Sequence, residues 1–337
     1  MRTQTVEPHA EEGRRAEQPQ ACASREERPV SKYEVARCGC RTNRSVTSAA
    51  IGVFLLLLWF LGSPATAAEP LRVVASFPVL ADIAARVGGD RVRVSSLVGR
   101  NAAPHGWSPK PQDVRRLAGA DLVVVNGLGL EGWLDRLVAA SGYQGPVLAA
   151  SRDVMPLSDE SGAPDPHAWH SPAEAGRYAA AIADALARLA PEDAPAFRAN
   201  LAAFQGELAE LTAWAGSAAA AIPAERRIVV TTHDAFAYLG RDLGIRVLSP
   251  AGLDSAAQPS ARRMAELVAE IRAAGVKAVF LEAGGDGRMA RTLAAEAGVA
   301  VGPPLHAGTL SGPDGPAPDY PAMWRRNVTL MLDAMGR

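Results

Sequence analysis

Six histidines occur in the 337-residue chain, and five of them lie beyond the first 68 residues: His105, His167, His170, His233 and His306. His105 sits in Asn101-Ala-Ala-Pro-His-Gly-Trp-Ser-Pro, and His167 in Ala163-Pro-Asp-Pro-His-Ala-Trp-His-Ser-Pro. His233 follows the β-branched run Ile228-Val-Val-Thr-Thr. Neutral imidazole is the usual nitrogen ligand of Zn²⁺, at about 2.0–2.1 Å. Histidines without a thiolate suit Zn²⁺ or Cu²⁺ better than Mg²⁺ or Ca²⁺, which take oxygen. Prolines beside His105 and His167 stiffen their loops and lower the cost of ordering them around an ion. Trp107 and Trp169 each follow a histidine by two residues, where they shield an ion from water or simply pack the loop. His170 reads as a surface residue on a first helical turn.

These loops need a scaffold that brings distant segments together. Strands are expected at Leu71–Ser76, Val92–Val98, Asp121–Asn126, Val147–Ala150, Ile228–Thr232, Arg246–Ser249, Val276–Leu281 and Val299–Gly302. Several are continuous apolar runs, as in strands covered on both faces. Helices are expected between them, at Leu80–Val87, Pro111–Leu117, Leu130–Ala139, Asp234–Leu243, Ser260–Ala274, Gly287–Ala297 and Pro321–Met335. The alternation predicts α/β architecture with parallel sheets. It breaks once, over 172–221, where Ala, Leu, Glu and Arg predict two helices divided at Pro191. The second, about 192–221, runs roughly 45 Å and predicts a rigid connector. Ligands of open α/β sheets collect beyond the strand carboxyl ends, where His105 and His233 fall.

Composition removes other classes. Lys and Arg number 35 against 36 Asp and Glu, and aromatics are 5%. Neither a basic face nor base-stacking platforms for nucleic acid follow from this. Apolar residues are 48%, enough for a sizeable core. Residues 1–48 are polar and charged; Ala49–Leu61 is an uncharged apolar run, shorter than the about 20 residues of a membrane span. With Arg41 and Arg44 before it and Ala65-Thr66-Ala67 after it, it reads as a secretory signal cleaved after Ala67 or Ala68. Cys22, Cys38 and Cys40 all precede it. The exported part therefore has no disulfide, thiolate site or cysteine for lipid attachment. Gly127, Gly129 and Gly132 meet the G-x-G-x-x-G spacing, but no acidic residue lies between Asp135 and Asp153, so they read as turn positions. Pro259-Ser260 reads as a helix N-cap.

Longer segments carry a resemblance. They include Val73-Val-Ala-Ser-Phe-Pro-Val-Leu-Ala-Asp82, Pro104-His-Gly-Trp-Ser-Pro-Lys-Pro-Gln-Asp113, Asp165-Pro-His-Ala-Trp169, Thr232-His-Asp-Ala-Phe236, Val276-Lys-Ala-Val-Phe-Leu-Glu282 and Leu310-Ser-Gly-Pro-Asp-Gly315. In order and spacing, the chain after the leader resembles the zinc/manganese periplasmic receptors of metal ABC transporters. The resemblance implies two lobes joined by one long helix with the metal between them: leader and signal peptide 1–68, lobe 69–190, connector 191–221, lobe 222–337. It implies ligation by His105, His167 and His233, a monomer, and delivery to an ABC permease of the inner membrane. Manganese receptors resemble one another in having Glu at the third position; His233 implies Zn²⁺, with Mn²⁺ the lesser expectation. Gly308 stands where many members place a ligating Asp, so water, His306, Asp314 or Glu282 is expected to close the site. The His-rich loop of many zinc receptors is missing: Ser151–Pro164 contains no histidine.

The function so implied is an exported, periplasmic Zn²⁺ receptor rather than an enzyme. Asp165, Asp234 and backbone carbonyls are expected to orient the imidazoles. Metal is expected to be lost as pH falls through the ordinary imidazole value of about 6.5. Little movement between empty and loaded forms is expected of a stiff connector. Two alternatives share the three-His pattern: a secreted zinc hydrolase or lyase, for which H-E-x-x-H and G-x-S-x-G are both lacking, and an adhesin-like surface protein of the same fold.

Overall fold

The computed structural model describes residues 69–159, 161–255 and 258–336. The leader, with its apolar run, three cysteines and His9, lies outside the described residues. All eight expected strands form: β1 Leu71–Ala75, β2 Val92–Ser96, β3 Leu122–Val125, β4 Val147–Ala149, β5 Ile228–Val230, β6 Arg246–Leu248, β7 Ala278–Glu282 and β8 Ala300–Leu305. They make two four-stranded sheets, ordered β2-β1-β3-β4 and β6-β5-β7-β8. Every pairing between them is parallel, for example Val74 against Val123. β3 is Leu-Val-Val-Val with all four residues buried, because helices cover both faces and β-branched side chains fill them.

The helices are α1 Pro78–Gly88, α2 Pro111–Ala118, α3 Leu134–Ser141, α4 Pro172–Leu189, α5 Ala194–Ala220, α6 Ala237–Leu243, α7 Ala261–Ala274, α8 Arg288–Ala297 and α9 Tyr320–Gly336. α4 begins on Ser171, whose hydroxyl accepts from Glu174 N, with Pro172 in the first turn. Ser260 caps α7 in the same way, as expected, accepting from Arg263 N at 3.1 Å. α5 starts at Ala194 rather than 192, because Pro191–Asp193 takes a 3₁₀ turn. Its 27 residues run about 40 Å. Phe197, Phe204, Leu208, Leu211, Ala215 and Ala219 form its buried stripe.

The fold is thus two α/β lobes with parallel sheets flanked by helices, linked in sequence by α4 and α5. α9 returns from the second lobe to pack on α1, α5 and β5. One apolar core runs through both lobes, from Val74 and Leu80 to Phe236, Tyr238 and Trp324. A smaller core of Leu267, Ile271 and Leu293 serves the second sheet alone. Among the described residues no helix is long and apolar enough to cross a membrane.

Candidate metal centre

Each of three histidines comes from a segment leaving the carboxyl end of a strand. His105 lies between β2 and α2, His167 between β4 and α4, and His233 three residues beyond β5. In the second sheet the strand order reverses between β5 and β7, the place where open sheets form a ligand crevice. His233 leaves one of those strands and Glu282 ends the other. A register shift between Phe280 and Glu282 interrupts the pairing of β7 with β8 beside that carboxylate. The equivalent point of the first sheet, between β1 and β3, is closed by a polar network. Glu131 accepts from Ser76 Oγ and Asn126 N, both at 2.7 Å, and from Gly127 N at 3.1 Å. Asn126 Nδ2 in turn donates to Pro166 O at 2.9 Å, which anchors the peptide just before His167.

The three imidazoles meet. Their ring centroids are 5.1, 5.4 and 5.2 Å apart. One nitrogen from each lies within 4.8 Å of the others. Nε2 of His105 and Nε2 of His167 are 2.9 Å apart. A tetrahedral ion with bonds of 2.0–2.1 Å would set its ligand atoms about 3.3 Å apart, so a small parting of the two rings admits it. The enclosed space measures about 20 Å³ and is walled by these rings with Pro104, Trp169 and Gly308. That is room for one water-sized occupant. His233 Nε2 is buried without any hydrogen-bond partner. An orphaned imidazole nitrogen costs desolvation energy that a cation would return.

Electrostatics prepare the rings for a cation. Burial first, then the neighbouring His233, lowers the His105 pKa to about 4. The same two causes, joined by His105, hold the fully buried His167 well below the ordinary imidazole value. Both are therefore neutral, lone-pair-bearing ligands near neutral pH. Behind His167, Asp165 Oδ1 lies 2.8 Å from Nδ1 and also accepts from the His167 backbone N at 2.9 Å. Burial raises that carboxyl's pKa to about 6. Behind His233, Glu282 Oε2 lies 2.7 Å from Nδ1. Burial alone would raise Glu282; the His233 imidazole, with Thr232 and the His233 backbone, brings it below the usual glutamate value. Two carboxylates thus stand behind two of the rings, and Nε2 of His167 faces the third histidine, His105.

Residues 73–334 match the family described as zinc-uptake complex component A, periplasmic. The chain belongs to this family. Such zinc-uptake receptors are the metal-binding components of ABC transporters, which pass their metal to an inner-membrane permease and are not enzymes. Curated relatives include the iron-binding protein YfeA of Yersinia pestis, 29% identical, covering 82% of this chain and 89% of its own. The manganese-binding lipoprotein MntA of Bacillus subtilis is 31% identical, covering 80% and 91%. Among solved structures, the periplasmic zinc-binding protein TroA of Treponema pallidum superposes with a TM-score of 0.76 at 28% identity, covering 80% of this chain and all of that one. This likeness leaves no support for the hydrolase alternative.

Against this receptor family, the remaining expectations divide. Glu282 stands behind His233 as an orienting carboxylate. Asp165 Oδ1 faces the His167 imidazole as expected, while among the described residues no hydrogen bond or ion pair joins Asp234 to an imidazole. His306 bonds Thr309 Oγ1 at 2.9 Å and lies outside the three-ring cluster. Asp314 is exposed on a turn. Gly308 does wall the site, but a Cβ there would stand 2.7 Å from Pro104 Cγ, so the proline ring holds the place a side chain would take.

His170 is corrected outright. It is wholly buried, its ring 4.3 Å from Phe236 and its Nε2 2.7 Å from Ala307 O. The sequence shows it three residues after His167 and before a helix, a position that suggests solvent; the C-terminal helix α9 covers it, with Trp324 Nε1 donating to His170 O at 2.8 Å. Trp169 walls the space between the rings and packs its loop. It packs 5.3 Å from the His167 ring and donates Nε1 to Ala307 O at 2.8 Å. Trp107 packs on Trp133 at 4.5 Å instead. Gly127 and Gly129 do shape a turn, at φ 84° each, and a Cβ on Gly127 would meet Ser151 Oγ at 2.9 Å. Glu131 and Asn126 were not singled out by sequence, because one carboxylate and one amide in an apolar strand-end turn carry no spacing signal.

Proposed function

We propose that the chain captures Zn²⁺ in the periplasm through Nε2 of His105, His167 and His233 and presents it to its ABC permease. The convergence of three imidazoles, two of them backed by carboxylates, carries this reading. An all-nitrogen set favours Zn²⁺ over Mn²⁺, which prefers carboxylate and carbonyl oxygen. Relatives named for iron, manganese and zinc surround the chain, so the donor set discriminates where family membership does not. Water completes a four-coordinate ion, since Pro104 occupies the approach from Gly308. The receptor is free rather than lipid-anchored, because every cysteine precedes the apolar run Ala49–Leu61. It acts as a monomer.

Competition between the two metals tests the reading. Metal-free protein, titrated with Zn²⁺ and Mn²⁺ against a chelating dye, is expected to bind one Zn²⁺ at least a hundredfold more tightly. Equal affinity for Mn²⁺, or a preference for it, would overturn the assignment.

A further inference from the structure

Outside the metal centre lies a second, much larger space. A cavity of about 780 Å³ opens between the lobes, and His105 belongs to the walls of both. Trp107, Trp133 and Leu128 give the larger cavity an apolar side; Arg136 and Asp254 stand on its rim. A bare or hydrated cation needs nothing of this size or chemistry. Cavities of 300–1,000 Å³ with aromatic walls and a few polar groups are the usual form of sites for organic molecules.

Three observations give the occupant its character. His105 is the least buried of the three ligand rings, with its side chain 10% exposed, and its ring is the wall that the metal centre and this cavity share. Trp133 Nε1 is buried and has no hydrogen-bond partner, in a residue that forms the wall. Arg136 has neither ion pair nor side-chain hydrogen bond among the described residues, which leaves a full cation for an anionic ligand. The Gly127–Gly132 segment, read as turn positions in the sequence, acquires a purpose. Gly127, Leu128 and Gly129 all have positive φ, and this turn sets Leu128 and Leu130 into the cavity wall.

We infer that the receptor takes zinc together with a small organic carboxylate chelator. Its carboxylate replaces water on the ion and pairs with Arg136, and its organic part lies against Trp107 and Trp133. Zinc accepts a fifth donor where a chelator offers two. The inference rests on the proposed zinc site, and it extends the cargo from a bare ion to a metal chelate.

Picolinate, an aromatic carboxylate with an adjacent ring nitrogen, is the probe. It is titrated calorimetrically into zinc-loaded and metal-free protein, with tryptophan fluorescence recorded alongside. A saturable one-to-one complex with the loaded protein only, accompanied by a change in tryptophan emission, is expected. Arg136→Gln should weaken picolinate at least tenfold and leave the affinity for zinc alone unchanged. Equal binding to loaded and metal-free protein, equal binding by wild type and Arg136→Gln, or removal of zinc without a ternary complex would each overturn the inference. Failure of the metal-free protein to bind zinc alone would instead sink the zinc site itself, so the two outcomes are separable.

Discussion

The Pro104 ring stands where a side chain on Gly308 would begin: a Cβ at Gly308 would lie 2.7 Å from Pro104 Cγ and 2.8 Å from Cδ. Pro104 directly precedes His105, so anything that displaces the proline moves a ligand. A side chain at 308 therefore cannot be added without moving the proline, and with it the segment that carries His105. Gly308→Asp is expected to weaken zinc binding at least tenfold and to cost about 1–3 kcal/mol of stability through overpacking. Thermal melting and dye competition on the variant check both; a gain in affinity would show that Pro104 yields and that the fourth position accepts a carboxylate.

Glu282 and Asp165 are expected to act through the imidazoles they face. Glu282→Gln and Asp165→Asn should each reduce zinc affinity by about 10–100-fold while the protein stays folded. X-ray absorption of zinc-loaded Glu282→Gln should still report the same nitrogen-rich shell. Loss of an oxygen ligand in that spectrum would make Glu282 a ligand and not an orienting group.

The pH response departs from that of ordinary imidazole. His105 binds a proton only near pH 4, and burial beside His233 and His105 holds His167 well below the ordinary imidazole value, so neither proton competes strongly with zinc at pH 6.5. Asp165, with a pKa of about 6, is protonated first on acidification. Its neutral form no longer draws a proton onto His167 Nδ1, and the tautomer with Nε2 free loses its support. Groups protonated in the empty protein and ionised or metal-bound in the loaded one make affinity fall as pH falls. As Asp165 takes up its proton near pH 6, zinc affinity should decline by up to tenfold per pH unit, and it should fall more steeply as His105 protonates near pH 4. Calorimetry in buffers of different ionisation enthalpy counts the protons released on binding; no increase in that number between pH 7 and pH 5 would contradict the role given to Asp165.

Much of this was legible in the sequence. Alternating β-branched and Ala/Leu-rich segments predicted all eight strands, and Pro191 marked where the long helix is set off from the one before it. Pro-flanked His105 and His167, with His233 at a strand end, announced themselves by local context. What stayed hidden depends on contacts between segments far apart in the chain. His170 looks solvent-exposed until Trp324 and Ala307, more than a hundred residues on, close over it. In sequence Glu282 reads as a carboxylate that closes the site or bonds a loop amide; the structure has it accept from the backbone N of Thr232 and His233, both at 3.2 Å, and sets its Oε2 2.7 Å from His233 Nδ1.

His170 also yields a prediction about the lobes. With Trp169 it bonds the carbonyl of Ala307, tying the His167 segment to the loop that carries Gly308. His170→Ala should cost about 2–4 kcal/mol, from a buried cavity and a lost hydrogen bond, and lower the melting temperature by several degrees. Because these bonds and one apolar core join the lobes, scattering profiles of empty and loaded protein should superimpose. A resolvable decrease in radius of gyration on loading would mean that the lobes close as hinged bodies.

The most direct test of the whole account is zinc affinity in the single variants His105→Ala, His167→Ala and His233→Ala, each confirmed as folded and measured by competition with a chelating dye. Three rings sharing one ion predict a loss of orders of magnitude in all three. Wild-type affinity in any one of them would show that the ion is held elsewhere.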